Sequence, residues 1–471
     1  MAKKTTLGVI VGTRGFFPTH LAVEGRAKML KILKDQGFDT VCLGVKDAQG
    51  GSIESLADAE LCADLFKKNA DKIDGLLVTL PNFGDERAVA NAIRFSGLKV
   101  PVLVHAWPDD ASAMTIANRR DSFCGKMSVT NNLSQYAIPF SLTGLHCADP
   151  ESKSFKADLL RFGATCRVVR GLRGARVGAI GARTGAFNTV RYSEKILEGQ
   201  GITVETIDLS EILGRANALK ANDPAVRRKV QAFKGYTDTS GVTETGLERM
   251  GRFAVVIDRW MKDYRLIGTS LQCWTAIEEY YGIVPCAVMS MMSENLLPSA
   301  CEVDTTGLVG MLALRFATQE PAALVDWNNN YGDDENRCVL FHCSNLPKSL
   351  FAEQKMAVQE IIAGSVGAEN ACGSIIGRLK TGRFTFARVD TDDVKGRMRA
   401  YVGEGKLTDD PLDTFGGFGV CKIPNLQHLL QVICKEGFEH HVAISMGEVA
   451  AAIEDAFKTY FGWDVYRHAG E

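Results

Sequence analysis

Three segments of this chain carry residue types and spacings that could do chemistry. The first, Ser299-Ala300-Cys301-Glu302-Val303-Asp304-Thr305-Thr306-Gly307, sets two carboxylates just before an apolar helical run, Leu308 to Phe316. A helix dipole favours carboxylates at its N-terminus, so capping is the plain alternative to catalysis there. The second, Leu324-Val325-Asp326-Trp327-Asn328-Asn329, ends a β-type run on an aspartate. Ligands are common at that position in α/β folds, and so are turn-initiating aspartates. The third, Glu439-His440-His441-Val442, places two of the chain's eight histidines side by side. Neighbours on a strand point to opposite faces, so one of the two could face a given metal. Two carboxylates and a neutral imidazole suit Mn²⁺ or Mg²⁺, hard ions that accept oxygen ligands. Spacing alone does not make the three segments converge.

The elements that must position them fall into three textures. In the first, β-rich runs alternate with helical stretches: strands at Leu7 to Val11, Thr40 to Val45, Leu76 to Leu80 and Val100 to His105, and helices at His20 to Gln36, Ile53 to Asn69 and Asp85 to Phe95. Such alternation predicts parallel βαβ units covered on both faces. The pattern restarts after Arg170-Gly171-Leu172-Arg173-Gly174, with strands at Ala175 to Ile180 and Ile202 to Leu209 and a long helix from Glu244 to Asp263. Leu266 to Ser270 and Val284 to Ser290 complete this second α/β unit. From about Ala317 the segments Arg337 to His342, Gly382 to Val389 and Gly396 to Val402 read as antiparallel strands, and Ala450 to Tyr460 alone as clearly helical. The expected fold is α/β: two successive Rossmann-like domains, 1–168 and 169–316, then a β-rich, barrel-like C-terminal domain, 317–471.

Composition narrows the function. The 471 residues are 46% hydrophobic and 23% charged, with a formal net charge of -2 and no basic run. That is ordinary for a soluble globular protein, and nucleic acid and anionic membranes are not expected partners. No apolar run reaches the roughly 18 residues of a membrane helix. Met1-Ala2-Lys3-Lys4 before a short apolar stretch lacks the cleavage site of a signal peptide. The 13 cysteines include no CxxC pair, which fits reduced thiols in a cytoplasmic enzyme and argues against structural zinc. Gly181-Ala182-Arg183-Thr184-Gly185 lacks the GxGxxG spacing of a dinucleotide site.

In order and separation, these segments resemble the L-fucose isomerase/L-arabinose isomerase superfamily, in its shorter fucose-isomerase-like branch. Cys301-Glu302-Val303-Asp304 resembles the first metal-binding segment, with Glu302 in the place of the ligand glutamate. Val325-Asp326-Trp327 resembles the second, with Asp326 as the ligand aspartate. His440-His441-Val442-Ala443-Ile444-Ser445-Met446-Gly447 resembles the family's Asn-His segment, which keeps a glycine six residues after the ligand histidine. That spacing selects His441 as the ligand and puts His440 where the family has a substrate-binding Asn. Val339 to Asn345, containing His342, resembles a substrate-side loop, and Thr385 to Lys406 the C-terminal barrel strands. Gln272 resembles a substrate-binding glutamine. Arg14 resembles an arginine that reaches a neighbouring subunit's site.

The resemblance implies an aldose–ketose isomerase working through an enediol, with Mn²⁺ (or Mg²⁺ or Co²⁺) held by Glu302, Asp326 and His441. Glu302 and Asp326 would also be catalytic, one taking the C2 proton while the other serves the oxygens. Substrate contacts would come from Arg14, Asn82, Arg183, Gln272, His342 and His440, in a homo-oligomer, trimer or hexamer. L-Fucose, D-arabinose and L-arabinose are all allowed as substrates. The preferred expectation, taken from the resemblance to members of this branch that isomerise it, is sulfoquinovose, converted to 6-deoxy-6-sulfofructose. Its sulfonate would need planar Arg donors, for which Arg14, Arg183 and Arg191 are candidates. A metal-dependent epimerase or aldolase and a two-lobed sugar-binding protein are the alternatives.

Overall fold

The structure is a computed structural model that describes residues 4–470. The lead-in residues Met1, Ala2 and Lys3 lie outside them. The chain forms two compact units, one running to Arg170 and including Asp455–Gly462, the other made of Gly171–Glu454 and Trp463 onward. Among the described residues no helix is long and apolar enough to cross a membrane.

The first unit is built on a parallel sheet of β1 (Thr6–Val11), β2 (Asp39–Cys42), β3 (Gly75–Leu80), β4 (Val102–Ala106) and β5 (Ser141–Leu142), in the order β2-β1-β3-β4-β5. β1 and β3 are buried along their whole length, as near-continuous apolar strands must be when both faces are covered. Alternate residues feed two cores: Ile10, Val78 and Val104 on one face, Val9, Leu77 and Leu103 on the other. The late segment Asp455–Gly462 belongs to this unit through Tyr460, whose hydroxyl accepts from the Val102 amide at 3.2 Å and bonds Ser141 Oγ at 2.7 Å.

The second unit begins with another parallel sheet: β6 (Arg176–Ile180), β7 (Thr203–Ile207), β8 (Thr269–Leu271) and β9 (Ser299–Cys301), ordered β7-β6-β8-β9. Of the run Val284 to Ser290, the part from Cys286 onward is helix, within Cys286–Glu294. The remaining strands are β10 (Ala322–Asn330), β11 (Arg337–His342), β12 (Phe351–Val358), β13 (Cys372–Leu379), β14 (Gly382–Asp392), β15 (Arg397–Thr408), β16 (Gly417–Lys422), β17 (His441–Met446) and β18 (Asp464–Arg467). Antiparallel pairing runs β16-β11-β10-β17-β14-β15, and β15 pairs back onto β16. The six strands therefore close into a barrel, which leaves no open edge between them. The expected architecture of parallel α/β sheets followed by a barrel-like β-rich region is what forms. Two details differ from expectation: β10 continues past Asp326 to Asn330, and the helix Leu426–Glu436 interrupts the late strands, burying Leu426, Leu429 and Ile433.

One helix, Thr305–Thr318, joins the parallel sheet to the barrel. It is buried on nearly every side, as an all-round apolar helix must be. A Cβ at Gly310 would stand 3.2 Å from the Ala387 carbonyl oxygen and 3.4 Å from Ala443 Cβ, so glycine lets the helix lie close against β14 and β17. This packing brings the helix N-terminus, and the carboxylates preceding it, to the barrel.

Candidate functional site

β9 ends at Cys301, and the chain turns into the helix through two consecutive residues in the left-handed region, Glu302 (φ 55°) and Val303 (φ 58°). Each non-glycine residue held there costs of order 1–3 kcal/mol. The turn is pinned by hydrogen bonds from Val303 N to Leu271 O (3.2 Å) and from Asp304 N to Cys301 O (2.9 Å). Asp304 then caps the helix, accepting from Gly307 N at 2.7 Å. Trp274 Nε1 donates to Glu302 Oε1 at 3.1 Å, which leaves Oε2 to face the barrel.

On the barrel side, register does the positioning. Asp326 on β10 lies directly opposite His441 on β17, so both side chains project from the same face. β11 runs on the other side of β10 and ends at His342. His441 Nε2 is 3.5 Å from Asp326 Oδ1 and 3.7 Å from Glu302 Oε2. His342 Nε2 stands 3.9 Å from Glu302 Oε2, and His440 Nε2 3.9 Å from Asp326 Oδ1. Both carboxylate oxygens that face His441 are buried and lack a hydrogen-bond partner. Unpaired buried carboxylate oxygens are costly, and here they converge on one imidazole nitrogen. Ligand atoms about 2.1 Å from one octahedral ion, at right angles to each other, lie about 3 Å apart. Each carboxylate oxygen approaches His441 Nε2, but among the described residues Glu302, Asp326 and His441 do not form one group with all atoms within 4.8 Å. Donor groups that share His441 occur with Glu302 and His342, and with Asp326 and His440.

Behind these donor atoms sits a buried charge network. His441 Nδ1 donates to Asp304 Oδ2 at 2.8 Å. Arg388, on β14 and fully buried, sets two guanidinium nitrogens on Asp304 and donates from Nε to Glu439 Oε2 at 2.9 Å. Burial by itself would raise the Asp304 carboxyl, but the Arg388 charge and the His441 hydrogen bond hold it well below the usual range. Burial pushes Glu439 up to about 7 against the pull of Arg388. An ionised Asp304 keeps the His441 proton on Nδ1 and so leaves the Nε2 lone pair free for an ion.

The other expected residues are dispersed. Gln272 follows β8, and its Oε1 accepts from Ala182 N at 2.9 Å, bracing the turn at Gly181. Arg183, in that turn, donates to the Thr184 carbonyl at 3.0 Å. It lines a cavity of about 910 Å³ with Arg191, Tyr192, Lys195, Asp390 and Glu439. His440 is 43% exposed at its side chain and meets the Phe187 ring edge-on, with centroids 5.5 Å apart. Arg14 and Asn82 belong to the first unit. Arg14 pairs with Glu86 and lies 4.3 Å over the Phe83 ring. Asn82 is buried, donating to Thr13 Oγ1 at 2.9 Å and accepting from Gly84 N at 3.2 Å.

Sequence reasoning assigns no role to Arg388, Trp274 or Phe187, and none to Asp304 beyond its place in the segment. A signal exists for Arg388: it is a lone charge inside the apolar run Phe384-Thr385-Phe386-Ala387-Arg388-Val389.

Residues 8–173 match the fucose/sulfoquinovose isomerase N-terminal domain, and residues 340–468 match the L-fucose isomerase C-terminal domain. The chain is also similar to proteins named sulfoquinovose isomerase. Those of Priestia aryabhattai and Priestia megaterium are each 23% identical over 458 residues, covering 95% of this chain and 96% of theirs. That of a Clostridium species is 24% identical over 315 residues, covering 64% of this chain and 66% of its own. With both domains matched and relatives aligned nearly end to end, the chain belongs to the fucose/sulfoquinovose isomerase family and is a sugar isomerase of the aldose–ketose class.

Proposed function

We propose that this isomerase depends on a divalent metal ion, best Mn²⁺, held by Glu302, Asp326 and His441, and that its substrate is sulfoquinovose. The observation that carries the metal assignment is the pair of unpartnered buried oxygens, Glu302 Oε2 and Asp326 Oδ1, facing His441 Nε2. When bound, the ion supplies Lewis-acid polarisation of the sugar carbonyl. One of the two carboxylates takes the proton from C2 while O1 gains one, giving the enediol; C1 then receives a proton as O2 loses its own. Both carboxylates are held in position for these transfers, Glu302 by Trp274 and the left-handed turn, Asp326 by the paired strands β10 and β17. Burial of Glu302 keeps water from competing for its proton.

The substrate assignment is supported by the names of the relatives and by the cations around the adjoining cavity, Arg183, Arg191 and Lys195. A sulfonate is best met by planar Arg donors, to which Lys195 adds a point charge. Arg14 of a second subunit completes the site in this proposal, in a trimer or hexamer. The test is a panel of aldoses (sulfoquinovose, L-fucose, D-arabinose and L-arabinose) assayed after chelation and after Mn²⁺ is restored, with products followed by NMR in D₂O. Sulfoquinovose turned over in a Mn²⁺-dependent way, with deuterium at C1 of the ketose, is the expected result. Full activity after chelation would remove the metal assignment. A preference for L-fucose that survives Arg183→Ala and Arg191→Ala would remove the substrate assignment.

A further inference from the structure

Next to the proposed metal ligands lies a second donor set that isomerisation does not use. Cys273 follows β8 and Cys301 ends β9, on adjacent parallel strands whose register pairs Leu271 with Cys301. The two Sγ atoms and a Glu302 carboxylate oxygen all lie within 4.8 Å of one another. Nearby, Cys343 Sγ is 3.5 Å from His342 Nδ1. Cys273 is 3% exposed and Cys301 0%, and all three cysteines are reduced.

Buried thiols are common as small apolar groups. Cys338 and Cys421, paired across β11 and β16 with sulfurs 3.4 Å apart, are such a case. The cluster at Cys273 differs because a carboxylate shares it. We propose that Cys273, Cys301 and Glu302 form a second metal site. It would take thiophilic dications such as Zn²⁺ or Cd²⁺, and its occupation would draw Glu302 away from the ion used in catalysis.

Ligand softness separates the two sites. Thiolates select Zn²⁺ and its heavier relatives, while carboxylates suit Mn²⁺ and Mg²⁺. Two sulfurs about 2.3 Å from a tetrahedral zinc stand about 3.8 Å apart, which the 4.8 Å limit on this donor group allows. Each bound thiol gives up its proton to solvent as the sulfur–metal bond forms. The sharing of Glu302 rests on the proposed function; the thiol site does not.

The experiment is a Cd²⁺ titration of the metal-free full-length protein, with exposed Cys124 and Cys434 replaced by serine. It is read by the ultraviolet thiolate-to-cadmium charge-transfer band. A band saturating at about one Cd²⁺ per chain is expected, with affinity at least about tenfold weaker in Cys273→Ala and in Cys301→Ser. His441→Asn, which removes only a proposed catalytic ligand, should keep the band, so failure of the catalytic assignment is distinguishable. No band, or one unchanged in both cysteine variants, overturns the site. Should those variants not fold, X-ray absorption of Zn²⁺ on the wild-type protein decides, and a coordination shell without sulfur overturns it. If the band forms but Mn²⁺ affinity is unaltered by Cd²⁺, the sharing of Glu302 is overturned.

Discussion

His441 donates its Nδ1 proton to Asp304 Oδ2 across 2.8 Å, with both side chains buried. The bond fixes the imidazole so that Nε2 faces Glu302 and Asp326, and the charge on Asp304 makes that nitrogen a better donor. Asp304→Asn keeps the cap on the helix and loses the charge. Mn²⁺ affinity should fall about 10- to 100-fold, measured by the electron-paramagnetic-resonance signal of free Mn²⁺. An unchanged affinity would reduce Asp304 to a helix cap.

Arg388 holds two carboxylates, Asp304 and Glu439, with no solvent exposure of its own side chain. Arg388→Met leaves both acids without a counter-charge in a low-dielectric interior. Breaking a buried pair on one side costs about 3–5 kcal/mol, so urea unfolding should show a loss of that size. Arg388→Lys should recover only part of it, because an ammonium cannot reproduce the forked contacts. A loss below about 1 kcal/mol would mean that the two acids protonate at little cost.

The sequence discloses these parts unequally. β1 and β3 are readable as continuous apolar runs, because strands covered on both faces have no polar side. Val284 to Ser290 is ambiguous for the same reason: a short apolar run serves helix and strand alike. The helix Leu426–Glu436 carries its buried positions at helical spacing but follows the turn-like Pro424-Asn425, which masks its start. The pairings of β17 with β10 and β14, and of β16 with β11, are non-local and leave no local pattern. Glu302, Asp326 and His441 stand out through resemblance, and register explains why the last two meet. Arg388 is out of reach because its partners are 84 and 51 positions away.

The adjacent histidines should separate cleanly. His441 is buried between two unpartnered carboxylate oxygens, while His440 is 43% exposed and leans on Phe187. His441→Ala should abolish stoichiometric Mn²⁺ binding and lower kcat by at least about 100-fold, the scale of a lost catalytic group. His440→Asn should leave Mn²⁺ binding intact and act on KM, as expected of a substrate contact. Isothermal titration beside steady-state kinetics gives both numbers. Loss of Mn²⁺ binding in His440→Asn would reverse the assignment.

In the first unit, His105 links stability to pH. Trp107 Nε1 donates to Thr79 Oγ1 (3.0 Å), that hydroxyl donates to His105 Nδ1 (3.0 Å), and His105 Nε2 donates to the Ala148 carbonyl (2.8 Å). Only the neutral ring satisfies this chain. Complete burial pushes the His105 pKa down to about 3, a shift the Ala148 bond only partly opposes. Unfolded histidine titrates near about 6.5. Between those values the unfolded chain binds the extra proton, so this contribution is fully present above about pH 6.5 and is lost as pH falls toward about 3. From about pH 6.5 to about pH 5.0 the loss is about 1.6 kcal/mol for one such group. Urea unfolding at those two pH values should show that difference in the wild type and a much smaller one in His105→Gln. Equal pH slopes in the two proteins would mean that His105 accepts a proton without unfolding.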